Sequence, residues 1–180
     1  MGVDTLKTNS GNIVLWSNSD KGASQGSIYL ESGASLLSNG GKIWIGGGLD
    51  DGGADALITT DRGKWSSVVS GDALPDGYSV GWNQVDNWGI GVVIGVGTTL
   101  KSANGDIFIA GQQAASGTSG YGHIGIWNGA KIDSGDGKIA LWGRSQAGAT
   151  DSTQGIALHA TSQGGLATVI RSNSNAAAKC

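Results

Sequence analysis

Apolar and polar residues alternate along this chain in short runs, and the runs recur at a longer spacing. Ile13-Val14-Leu15, Ile43-Trp44-Ile45, Ile107-Phe108-Ile109 and Ile139-Ala140-Leu141 each place two large aliphatic side chains two residues apart. That period of two predicts half-buried strands with the Ile and Leu on one face. Seven residues before each run stands another apolar residue: Leu6, Leu36, Leu100 and Ile132. Val68 and Leu166 extend this series, and the steps between its six members are 30, 32, 32, 32 and 34. Two residues after each member comes a hydroxyl: Thr8, Ser38, Ser70, Ser102, Ser134 and Thr168. A fixed period of this size is the mark of a repeat architecture.

A third run completes each unit. It reads Ile28-Tyr29-Leu30, Leu57-Ile58-Thr59, Ile90-Gly91-Val92, Ile124-Gly125-Ile126 and Ile156-Ala157-Leu158. The runs are short and interrupted by glycine, and no amphipathic helical pattern is present. In the third unit Pro75 occupies the expected second strand, where it cannot donate to a ladder. Leu74-Pro75-Asp76-Gly77 has turn chemistry, so a bulge or inserted turn is expected there, with the strand resuming at Tyr78-Ser79-Val80. The connections 16–27, 46–57, 82–89, 110–123 and 142–155 are rich in small and polar residues. At one place in a repeat they should project from one edge.

One strand triplet cannot bury its own apolar face. Stacking like strands in parallel, about 4.8 Å apart, buries a column of Ile, Leu and Val. The sequence therefore predicts an all-β fold, a single-stranded parallel β-helix (β-solenoid) of about five to six coils of 30–34 residues. One repeat domain spans 1–175, with coils starting near 6, 36, 68, 100, 132 and 166. An antiparallel sandwich would also have many short strands, but would not need a hydroxyl at one phase of every unit. The hydroxyls are expected to form a stacked ladder, the alternative being caps at a corner. Gly11, Gly41, Gly105 and Gly137 are expected to supply positive φ at that corner.

Composition narrows this little but excludes much. Gly is 34 of 180 residues, yet with one Pro and no G-X-Y register the chain is not collagen-like. Charged residues are only 14 %, and Ser, Thr, Asn and Gln replace them at the surface. The net charge of −3 without a basic block gives no nucleic-acid footprint. No apolar run is long enough to cross a bilayer as a helix, so membrane insertion of this segment is not expected. Cys180 is the only cysteine, which excludes an internal disulfide or thiolate metal site. Residues 176–180 read as a terminal tail with a thiol handle.

The units "LLSNGGKIWIGGG", "LKSANGDIFIAGQ" and "IDSGDGKIALWGR", each followed by a G-x-I-x-L-like half-repeat, resemble the repeat regions of large bacterial exported adhesins. These are the filamentous-haemagglutinin-like proteins of two-partner secretion and related autotransporter passengers. The resemblance covers about residues 3–172. It implies a right-handed β-helix shaft, secreted and displayed on the bacterial cell surface by an outer-membrane-associated parent. No secretion domain, receptor domain or cap of the family is visible.

The candidate chemistry is sparse. Trp44 and Phe108 alternate with the inward Ile and are expected to point outward, in one column with Val14 and Ala140. Trp16 and Trp142 occupy the next outward column, with Gly46 and Ala110 between them. Exposed, such rings would form a platform for sugar rings or another protein; the competing reading packs each ring over a glycine or beneath a side loop. Asp50, Asp51 and Asp55 lie among glycines and form a weak calcium candidate. Asp72 and Asp76 near the irregular unit could suggest polysaccharide cleavage, but no basic partner accompanies them. His123 and His159 are too far apart to read as a spaced metal pair and are expected to be exposed. Glycine runs such as Gly89 to Gly95 lack the following helix of a phosphate loop.

The leading reading is a structural shaft, with no enzymatic activity and no cofactor. A module binding surface glycans or proteins through its side loops and aromatics is second, and a polysaccharide-acting enzyme third. Open strand edges at each end would also invite head-to-tail self-association, because unpaired backbone groups there can template another chain.

Overall fold

A computed structural model describes residues 4–17, 26–47, 78–81, 89–113, 123–144, 155–159 and 165–174. The described residues are all-β. In chain order the strands are β1 (Thr5–Lys7), β2 (Ile13–Ser17), β3 (Ile28–Leu30), β4 (Ser35–Leu37), β5 (Ile43–Gly47), β6 (Ser79–Val80) and β7 (Val92–Ile94). They continue as β8 (Thr99–Lys101), β9 (Ile107–Gln112), β10 (Ile124–Ile126), β11 (Lys131–Asp133), β12 (Ile139–Arg144), β13 (Ile156–Leu158) and β14 (Val169–Arg171).

These strands form three parallel sheets. The first runs β1-β4-β8-β11-β14, the second β2-β5-β9-β12 with β6 beside β9, and the third β3-β7-β10-β13. Apart from β6, which follows β5 in the same sheet, successive described strands fall in the three sheets in turn, and each pairs with strands one or more repeats away in the chain. This stacked parallel arrangement is consistent with a β-solenoid.

Register keeps like residues over like. Leu6, Leu36, Leu100 and Ile132 lie in one column. Ile13, Ile43, Ile107 and Ile139 make a second, and Leu15, Ile45, Ile109 and Leu141 a third. Apart from Leu6, which is exposed at the end of its column, these side chains meet Val92, Ile94, Ile124 and Ile126 of the third sheet in one continuous core. Ile43, Ile45, Leu100, Ile107, Ile109, Ile124 and Ile132 have no solvent exposure. Each such side chain contributes on the order of 1.5–3 kcal/mol of burial.

The third unit departs from the expected succession. Leu36 lies directly beside Leu100, 64 residues on, and Ile28 beside Val92, so no coil starting near 68 separates them. In β6, Ser79 and Val80 pair with Gly111 and Gln112. Ser79 keeps the repeat phase, standing 32 residues after Gly47 and 32 before Gly111. The described end of that unit's second strand is thus seated in the sheet. The third-sheet strand that follows is Val92–Ile94, two residues later than Ile90-Gly91-Val92. Val68, Ser70, the Pro75 turn and Leu57-Ile58-Thr59 lie outside the described residues, as does the 176–180 tail.

The last unit is shifted as well. Ile170, not Leu166, pairs with Ile132. Leu166 is 73 % exposed, which is why it cannot be the buried start of a strand.

Candidate functional site

The corner after the first sheet gathers the repeated hydroxyls. Ser38, Ser102 and Ser134 are fully buried. Each donates to the carbonyl three residues on: Ser38 to Gly41 at 2.5 Å, Ser102 to Gly105, and Ser134 to Gly137 at 2.6 Å. Thr8 donates to Gly11 at 2.5 Å. Links between circuits go to backbone, from Thr8 to the Ser38 carbonyl at 3.0 Å and from Ser38 to the Ser102 carbonyl at 3.4 Å. The hydroxyls thus cap the corner and stitch circuits through carbonyls. Thr168 stands elsewhere: its hydroxyl meets the Trp127 carbonyl at 3.2 Å, as that of Thr98 meets Glu31 at 3.0 Å. Ser172 takes the ladder position of the last unit and donates to Gly137 at 2.6 Å.

The corner glycines serve a different purpose from the expected one. Positive φ falls earlier, at Ser10, Asn39, Gly40, Ala103, Asn104 and Gly135. Gly41, Gly105 and Gly137 are set by close approach instead. A Cβ on Gly105 would lie 1.9 Å from the Gly41 carbonyl oxygen, and one on Gly137 2.1 Å from that of Gly105. One residue on, Asn12 and Asp106 accept from the amides of Lys42 and Lys138 at 2.9 Å. Lys42 also reaches Asp106 at 3.2 Å across the same column.

The second sheet carries a separate aromatic cluster on the face away from the Ile and Leu core. Register places Val14, Trp44, Phe108 and Ala140 in one column. Trp16 is opposite Gly46, and Trp142 opposite Ala110. Phe108 packs between Trp44, centroids 4.3 Å apart, and Trp142, 4.2 Å apart. Trp44 and Phe108 are only 2 % and 1 % exposed. Neither offers a face to a ligand, which corrects their expected role in an exposed platform. Tyr78 packs in the same cluster, and the Arg144 guanidinium lies 5.6 Å over its ring. Trp16 and Trp142 are half-buried. Trp127 lies over Gly125 and stacks on His159 at 4.4 Å.

His123 immediately precedes β10 and is 1 % exposed, which overturns its expected exposure. Its backbone is held in the ladder, its amide donating to Gly155 and its carbonyl accepting from Val92, both at 3.2 Å. Neither ring nitrogen has a hydrogen-bond partner, and burial pushes its pKa down to about 4. Gln112 is buried nearby in sequence, at the end of β9, with its side-chain oxygen unpartnered. Burial also lowers the pKa of half-buried His159. At the exposed end, the hydrogen bond from Arg171 holds Asp133 below the usual carboxylate range. The polarity of His123 gave the sequence reading no warning, and Tyr78 lacked a partner until register was known.

No group of three or more metal-ligating side chains occurs among the described residues. Asp50, Asp51, Asp55, Asp72 and Asp76 lie outside them. Among the described residues no helix is long and apolar enough to cross a membrane. No protein-family model, curated protein or solved structure matches the chain.

Proposed function

We propose that the chain is a shaft segment of a secreted, surface-displayed bacterial adhesin or fibre, a right-handed parallel β-helix mediating cell adhesion or biofilm contact at a distance. The observation that carries this reading is the unbroken set of side-chain columns. One Ile and Leu core runs through three sheets, and the repeat spends its buried hydroxyls on its own corners. Such a stack gives length and rigidity from near-identical levels. Trp44 and Phe108, the most apolar outward residues, are consumed by packing, which weighs against the glycan- or protein-binding alternative at that face.

The thiol of Cys180 supports a direct test. Beads coated with the folded chain through that thiol are mixed with bacterial and epithelial cells. A shaft gives no adhesion above blank beads and a protein that resists trypsin. Specific adhesion lost on Trp142→Ala would replace the shaft reading with the binding module.

A further inference from the structure

The two ends of the stack fit each other, and the C-terminal end has one of its seats occupied by the chain itself. Among the described residues the N-terminal edges are β1, β2 and β3; at the other end no described strand pairs with the outer edges of β12 and β13, while β14 covers β11. Both ends expose apolar side chains, among them Leu6 and Tyr29 on one, and Ile156 and Leu158 on the other. The first sheet thus has one strand more than either neighbour has on its main path.

A second copy continuing the stack would set its Ile13 and Leu15 on Ile139 and Leu141, its Trp16 beside Trp142, and its Ile28 and Leu30 on Ile156 and Leu158. These pairings repeat those already made inside the chain, where Ile13 meets Ile43 and Leu30 meets Ile94. If β2 and β3 of the second copy sit there, its β1 must sit on β11. That seat is the one β14 holds. Charge selects the same arrangement. On β11, Lys7 of the second copy would face Asp133, the partner that Arg171 now takes. On β14 it would face Arg171, a like charge, and β2 and β3 would have no level to occupy. β14 is exposed at all three residues, so little burial holds it.

We propose that β14 is a detachable cap, and that the edge of β11 beneath it, with β12 and β13, docks the N-terminal end of a second copy of this chain. The idea rests on the stacked-shaft reading and names its partner. Cells and beads play no part in its test, so it can fail while the shaft reading stands.

The test uses the full chain carrying Cys180→Ser. Ile170→Asp with Arg171→Glu places a charge at the apolar seat and a like charge beside Asp133, releasing β14. Light scattering is expected to show monomers for the parent and concentration-dependent multiples of the chain mass for this variant. Adding Lys7→Glu, which sets a carboxylate against Asp133, is expected to restore the monomer. A variant that keeps its β circular dichroism yet stays monomeric, or assembly indifferent to Lys7→Glu, overturns the proposal. If the released variant loses its β signal, the pair Lys7→Cys and Asp133→Cys decides. The two positions lie at opposite ends of one chain, so head-to-tail docking gives disulfide-linked ladders on a non-reducing gel, and their absence overturns the proposal.

Discussion

Phe108→Ala tests whether the outer aromatic cluster is a second core or a decoration of the sheet. The ring is 1 % exposed and lies between two indoles at 4.3 and 4.2 Å. Truncating a buried Phe removes its burial energy and leaves a cavity, at a cost of about 3–5 kcal/mol. Each aromatic pair adds about 0.5–1.5 kcal/mol beyond area, which favours the upper part of that range. With a urea m-value near 2 kcal/mol/M, the midpoint should fall by roughly 1.5–2.5 M. Trp44 and Trp142 touch the ring, so tryptophan emission should report the loss and shift to the red in the folded variant. A double-mutant cycle with Trp44→Ala should give a coupling near 1 kcal/mol. A loss below about 1 kcal/mol with an unchanged spectrum would refute the packing argument, because an exposed ring has neither a cavity to leave nor a partner to lose.

The other expectations concern the corners. Ser102→Ala removes a fully buried hydroxyl that donates to the Gly105 carbonyl and should cost about 1–3 kcal/mol, read from the same denaturation curve. Gly105→Ala should be worse, since its Cβ would overlap the Gly41 carbonyl at 1.9 Å and backbone cannot step aside; a neutral result would mean the circuits do not approach as described. Burial lowers the folded pKa of His123 to about 4 from an ordinary value of 6.5. The unfolded chain therefore binds the proton first as pH falls. Stability from the neutral ring is fully present above pH 6.5 and is lost between 6.5 and 4, by about 3 kcal/mol at 1.36 kcal/mol per unit. His123→Leu should flatten that part of the pH–stability profile, and an equally steep profile in the variant would exclude the group as the cause.

The parallel strands were legible because their signal is doubly periodic. Ile at 13, 43, 107 and 139 alternates at two along a strand and returns with the repeat, and only stacking satisfies both spacings. The hydroxyl phase was equally plain, but its partner was not. A Ser at plus two can bond a neighbour or its own turn, and the carbonyl three residues on won because it was the nearer buried acceptor. The corner glycines misled for a related reason. Sequence shows a missing Cβ without showing whether the conformation or the neighbouring backbone forbids it. His123 was illegible because no local pattern of apolar and polar residues marks it as buried, though it is 1 % exposed.

The third unit shows how a repeat can keep its phase while giving up its place. Val68 and Ser70 match the motif, yet Leu36 pairs with Leu100 as though that unit were absent. Ser79 nevertheless returns at the repeat spacing and closes on the glycine-rich half of the second sheet, with its hydroxyl bonding Gly26 at 2.8 Å and Gly91 at 2.7 Å. Tyr78, just before that strand, packs on the outer face beside Trp44 and Phe108. All three rings are buried, so the apolar side chains on this face of the second sheet cover one another instead of standing as an exposed patch.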